Sequence, residues 1–263
     1  MLHWLESFSP PMQGLLATLF TYGFTALGAS LVFFFKTVDH NAMDAMMGFA
    51  AGVMTAASFF SLLSPAVELA YQLGANAWLT ASGGFLSGWL FIMLSEQLLN
   101  KLGPDIKQNS GLKRGILLTS AVTMHNIPEG MAVGVAFGCA AMGVAGSSVL
   151  TAALLALGIA LQNFPEGSCV AMPLRAEGCG RFKSFLIGQA SGMVEPIAGV
   201  IGVVFAMTMR SVLPLTLSFS AGAMIAVVCS ELIPQAFKDN KTVASYGVMM
   251  GFAVMMALDV ALG

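Results

Sequence analysis

Long apolar runs alternate along the chain with short polar connections. A helix that crosses a bilayer needs about 20 mostly apolar residues, and these runs are continuous rather than alternating as in a membrane β-barrel. The pattern therefore predicts an all-α polytopic membrane protein with eight transmembrane helices, in a single domain over residues 1–263. The predicted segments are 12–35, 44–70, 77–99, 114–138, 146–173, 184–208, 213–237 and 243–262.

The composition excludes several classes of protein. Hydrophobic residues make up 57% of the 263 residues and charged residues only 9%, whereas a soluble domain normally has about 25% charged residues. Too little polar surface is left for a water-soluble protein, and eleven lysines and arginines are too few for a nucleic-acid-binding face. The first segment is preceded by no lysine or arginine. A signal peptide begins with such residues, so we expect this segment to remain as a span.

The basic residues fall almost entirely in alternate connections. If the N-terminus lies outside, only Arg210 is in an outside loop. The other ten are Lys36, Lys101, Lys107, Lys113, Arg114, Arg175, Arg181, Lys183, Lys238 and Lys241. Because cytoplasmic loops are enriched in Lys and Arg, this bias predicts that both termini are extracytoplasmic. We expect the membrane to be a cell membrane, specifically a bacterial inner membrane.

Two pairs of similar segments indicate an internal repeat. Residues 51–66 in the second segment align without gaps with 221–236 in the seventh. HNIPEG at 125–130 in the fourth segment matches QNFPEG at 162–167 in the fifth. The members of each pair run in opposite directions, as in the inverted repeats of transporters. The sequence therefore predicts three spans, a central pair and three inverted spans.

Several carboxylates lie deep in the predicted spans, where there is no lysine or arginine. They are Glu129, Glu166, Glu195 and Glu231. An ionised carboxylate at such a depth costs about 2.5–3.5 kcal/mol on insertion scales. These groups must therefore be protonated, hydrated or paired with a bound cation, and a cation site is the simplest explanation.

The two motifs place further ligands beside two of these carboxylates. His125 and Asn126 precede Glu129 by four and three residues, so they lie on the same or an adjoining helix face. The second motif repeats both spacings with Gln162, Asn163 and Glu166. One imidazole among carboxylate and amide oxygens suits Zn²⁺, and also Fe²⁺, Mn²⁺ or Cd²⁺.

A proline accompanies each of three buried glutamates, as Pro128, Pro165 and Pro196. Proline has no N–H, so it frees the carbonyl one helical turn earlier. Non-helical backbone at this depth is tolerated only beside a cavity or other protein. We therefore expect the prolines to expose backbone carbonyls beside the cation site.

Together these features resemble a known family. HNIPEG and QNFPEG in consecutive spans, Glu195-Pro196 in the next and SELIPQAF at 230–237 resemble the ZIP family of divalent metal transporters, specifically its bacterial branch with Gln in the second motif. The resemblance covers essentially the whole chain. It implies eight spans in a 3+2+3 inverted repeat and a homodimer. It also implies import of Zn²⁺ or another divalent transition metal into the cytoplasm, without an organic cofactor.

The resemblance also implies which residues bind the transported metal. A first site would consist of His125, Glu129, Gln162 and Glu166. A second site would consist of Asn126, Glu129, Asn163, Glu166 and Glu195, so that two glutamates bridge the metals. Met54 aligns with a methionine of the second span that can contact the metal.

Two other carboxylates each have two interpretations. Glu68 either reaches the outer interface or attracts metal at the entrance. Glu231 is either a satisfied buried acid or a step on the inward exit path. Transport by alternating access requires a moving part, and we expect the fourth to sixth segments to move against the second and seventh. Small residues of the latter, such as Gly52 and Gly222, would permit sliding.

Two alternative functions would require other sequence features. An intramembrane metalloprotease needs an arrangement such as HExxH, which does not occur here. A cation channel or a proton-coupled carrier of a small organic cation would place an aromatic cage beside the acids, and Phe164 alone is a poor one. The sequence thus favours metal import.

Overall fold

A computed structural model describes residues 2–35, 39–102, 111–144, 146–176 and 178–262. These residues form helices and connecting turns, and no β-strand occurs among them. The long helices are α1 (Pro10–Phe33), α2 (His40–Gln72), α3 (Ala77–Leu102), α4 (Gly111–Ala141), α5 (Val149–Ala176), α6 (Arg181–Thr208), α7 (Leu213–Ala236) and α8 (Lys241–Leu262). Their ends lie within four residues of the predicted segments.

Within the described residues, seven helices are long and apolar enough to cross a membrane, and α4 is the long helix outside that set. The side chains of 111–122 lie outside the described residues, so the eighth span stays a prediction. The all-helical class and the multi-pass membrane character are confirmed.

Two of the long helices contain a π-helical segment at matching places of the predicted repeat. The segment is Ser58–Leu63 in α2 and Val228–Leu232 in α7. Aligning 51–66 with 221–236 places Ser58 on Val228. Such π segments widen a helix locally and often occur at functional sites. The second of these segments contains Glu231.

The three prolines beside the buried glutamates have different effects on their helices. Pro128 and Pro165 lie inside the continuous helices α4 and α5. In α6, by contrast, a 3₁₀ segment at Ser191–Val194 ends the first half, and a new α-helix begins at Glu195. Pro196 therefore occupies the first turn of a helix. A backbone N–H at this position has no partner within the helix, so the proline costs no hydrogen bond.

The long helices pack in two groups. In the first group, α4 packs along α6 and α1 packs along α5, with α1 also contacting α6. In the second group, α2 packs along α8 and α3 along α7. The groups meet chiefly where α2 contacts α5 and where α4 contacts α7. Both motifs and Glu195 therefore lie in the first group.

Glycines allow close backbone contacts within each group. A Cβ on Gly134 of α4 would collide with the backbone of Gly199 on α6. Gly52 has the same close contact with Val248 of α8, and Gly222 with Phe85 of α3. Small residues permit such approach between membrane helices. The expectation that Gly52 and Gly222 form a sliding surface against the motif-bearing helices is wrong, because both pack inside the second group.

Candidate metal site

The two motifs lie side by side in α4 and α5. The amide nitrogen Nε2 of Gln162 donates a hydrogen bond of 2.7 Å to Oε1 of Glu129. Both side chains are only 1% exposed. One contact thus joins a carboxylate of the first motif to an amide of the second.

A second cluster surrounds Glu195 at the break in α6. Nδ2 of Asn163 donates a hydrogen bond of 2.8 Å to Oε1 of Glu195 and one of 3.3 Å to the backbone oxygen of Thr21. The Thr21 hydroxyl donates to Oε2 of Glu195. Glu195, Asn163 and Thr21 have no exposed surface. Residues of α1 and α5 therefore hold a carboxylate of α6.

Thr21 was missing from the sequence-based site. It lies in α1 between Thr18 and Thr25, and all three threonines are completely buried. Their spacings of three and four residues place them on one helix face. The presence of three threonines at helical spacing in an apolar segment was therefore the sequence signal that could have indicated Thr21. The partner of that face could not be read from the sequence, because it depends on how α1 packs.

Several oxygens of the predicted ligands are buried without a hydrogen bond within the part of the chain that the structure describes. They are Oδ1 of Asn126, Oε2 of Glu129, Oε1 of Gln162, Oδ1 of Asn163 and Oε1 of Glu166. Buried polar atoms almost always have a partner. The cluster is therefore rich in oxygen acceptors of the kind that bind a cation.

A cavity extends from the two motif glutamates toward the end of α7. Its lining residues are Met47, Met54, Glu129, Glu166, Cys169, Val170, Val227, Glu231, Leu232 and Gln235. Glu231 is half-buried and Gln235 is exposed. The cavity thus connects the buried carboxylates with the protein surface at one end of α7.

The remaining predicted residues fall in different places. Met54 is buried and lines the cavity together with both motif glutamates. Glu68 is exposed near the end of α2, where Nε2 of Gln72 donates to its Oε1 at 3.2 Å. It is not among the residues that line the cavity. The side chain of His125 lies outside the described residues.

Comparison with known proteins gives the family. The family described as ZIP Zinc transporter matches residues 104–259. The chain is 38% identical to "Zinc transporter ZIP11" of Xenopus tropicalis, over 98% of this chain and 100% of the relative. It is 35% identical to "Zinc transporter ZIPB" of Bordetella bronchiseptica, over 91% and 78%, and 34% identical to "Zinc transporter GufA" of Myxococcus xanthus, over 95% and 99%. The chain therefore belongs to the ZIP zinc transporter family, whose members are membrane transporters and not enzymes.

Proposed function

We propose that this protein moves Zn²⁺ across a membrane through the buried cluster around Glu129 and Glu166. The buried oxygens that have no hydrogen-bond partner among the described residues carry the proposal, because a divalent cation would satisfy them. The relatives are named zinc transporters, which supports zinc as the metal. The same mixture of donors also suits Fe²⁺, Mn²⁺ and Cd²⁺, so we include these ions as competing substrates.

We further propose two adjacent metal positions. The first uses His125, Glu129, Gln162 and Glu166, together with Met54, which lines the cavity with the two glutamates. The second uses Asn126, Asn163 and Glu195 together with the same two motif glutamates. This division is supported by the hydrogen bonds, since Gln162 pairs with Glu129 whereas Asn163 pairs with Glu195.

The cavity supports import by alternating access. It reaches the surface at Gln235, just before Lys238 and Lys241. Basic loops mark the cytoplasmic side, so the conformation is open to the inside, and Glu231 lies on the exit path. Both termini then lie outside, in a bacterial inner membrane. We retain the homodimer and the single transmembrane domain from the family resemblance, and Glu68 as a residue of the outer entrance.

The alternative of an organic cation as substrate is less well supported. Recognition of such a cation relies on aromatic rings around the charge. None of the described residues that line the cavity is aromatic. A channel or a proton-coupled organic cation carrier therefore lacks the side chains that would select its substrate.

Zinc uptake into proteoliposomes tests the proposal. We expect Glu129→Gln to remove most of the uptake, because it removes a charge that the metal must neutralise. Asp239→Asn is the matched control, since this carboxylate is exposed and pairs with His40 at 3.3 Å outside the cavity. Wild-type zinc uptake by Glu129→Gln would contradict the proposal. So would uptake of tetramethylammonium in place of zinc by the unmodified protein.

A further inference from the structure

Three sulfur atoms converge where the two groups of helices meet. Sγ of Cys169 on α5 contacts Sδ of Met47 and Sδ of Met43, both on α2. The two methionines are four residues apart, so they lie one above the other on one face of α2. The thiol of one helix is therefore in contact with two thioethers of another.

This sulfur cluster borders the cavity that contains the motif glutamates. Met47 and Cys169 line that cavity together with Glu129 and Glu166. Cys169 is a free cysteine that lies three residues after Glu166 on α5. An ion that reaches Glu166 through the cavity can therefore also reach Cys169 and Met47.

The chemistry of the cluster differs from that of the carboxylate site. Thiolate and thioether ligands are soft and select Cu(I), whereas carboxylate and amide oxygens suit harder divalent ions. We infer that Cys169, Met43 and Met47 form a binding site for soft monovalent cations of the Cu(I) and Ag(I) class, beside the zinc path. On binding, the cation takes the place of the thiol proton, which leaves to solvent, and no electron is transferred.

Occupation of the sulfur cluster has a consequence for zinc. Cys169 lies beyond Glu166 toward the C-terminal end of α5, and Glu231 lines the same cavity. Because the bound cation replaces the thiol proton, the net charge beside Glu166 does not change, but the larger cation fills part of the cavity through which zinc would pass. Soft cations therefore inhibit zinc transport through this site.

Inhibition of zinc uptake by Ag⁺ tests the inference without any redox chemistry. The background carries Cys179→Ser and Cys229→Ser, which remove two cysteines that are not buried. In it, Cys169→Ala should raise the half-inhibitory Ag⁺ concentration about tenfold or more, since even indirect partners of a metal contribute that much. Met47→Leu, which conserves volume, should also raise it. Met249→Leu, exposed on α8, is the matched control and should not.

X-ray absorption at the silver edge gives a second readout that does not depend on transport. With one Ag⁺ per chain in detergent, we expect a shell of sulfur neighbours that loses members in Cys169→Ala and in Met47→Leu. Because this measurement needs no zinc uptake, it separates failure of the sulfur site from failure of the proposed zinc function. A shell of oxygen and nitrogen, or equal Ag⁺ sensitivity of the background and both variants, would mean that the three sulfur atoms only pack.

Discussion

Glu129 of α4 and Glu166 of α5 line one cavity, and each has a buried oxygen without a hydrogen bond to any residue that the structure describes. The two residues come from motifs that are 37 positions apart in the chain. Neither motif alone provides two carboxylates, so the pairing of α4 with α5 creates the candidate site. The charge of this pair is the basis of the first predictions.

Replacement of Glu166 by alanine should abolish zinc uptake. The variant loses one of the two carboxylates that would bridge the metals, while the apolar packing of α5 remains. We therefore expect it to fold and insert, as checked by its elution as a single species and by its helical circular dichroism. Near-normal uptake of zinc by Glu166→Ala would contradict a site built from both motifs.

Gln162→Ala should weaken zinc binding without abolishing transport. Gln162 supplies a neutral oxygen and also donates the hydrogen bond that positions Glu129. Loss of such a partner typically reduces metal affinity about 10- to 100-fold, so the KM for zinc should rise by about that factor. Gln162→His, which keeps a donor and a metal ligand, should retain more of the affinity. Equal KM values for wild type and Gln162→Ala would exclude this role.

Glu195 should matter for the second metal position and little for the first. We expect crystals of Glu195→Gln to keep anomalous scattering at the position near Glu129 and to lose it near Asn163. Thr21→Val keeps the Glu195 charge but removes the hydroxyl that donates to it, so its effect should be smaller. Loss of both metals from Glu195→Gln would show that the two positions do not bind separately.

Zinc affinity should fall as the pH is lowered. Carboxylate and imidazole ligands bind a metal only when deprotonated, so protons and zinc compete for the same atoms. As the pH falls from roughly 7.5 to 5.5, the dissociation constant for zinc should therefore rise, because reference groups such as histidine begin to take up protons in this range. The constant is measured by calorimetric titration at fixed ionic strength. A dissociation constant that stays constant over this range would contradict carboxylate and imidazole ligation.

The long helices could be predicted from the sequence because their apolar runs are uninterrupted and their ends are polar. The placement of Gln162 and Asn163 relative to Glu166 could also be predicted, since their spacing within one helix fixes it. Thr21 could not be found in this way. Its role depends on α1 lying against α5 and α6, which no local pattern encodes.

The grouping of the helices was likewise beyond the sequence. The prediction of a moving block included the fourth to sixth segments only. In the structure, α1 packs along α5 and contacts α6, so a block that carries Glu195 must carry Thr21 with it. Gly52 gave a misleading signal, because a small residue marks a close contact but does not identify the partner helix.

The last prediction concerns this movement. Met47 of α2 and Cys169 of α5 are in contact across the boundary between the two groups. In a background with Cys139→Ala, Cys179→Ser and Cys229→Ser, the substitution Met47→Cys should form a disulfide with the native Cys169. If α1, α4, α5 and α6 move against the other helices, the crosslink should stop zinc uptake, and a reductant should restore it.

A crosslink inside one group provides the matched control for that experiment. Ser61 of α2 donates hydrogen bonds of 2.8 and 2.9 Å to the carboxylate of Asp259 on α8. With Cys169→Ala added to the same background, Ser61→Cys and Asp259→Cys should crosslink two helices that do not move relative to each other, and oxidation should leave the uptake rate of this variant unchanged. If instead the Met47→Cys crosslink forms completely and zinc uptake continues at its reduced-state rate, the two groups do not move during transport. A channel-like path along the cavity would then explain zinc movement better.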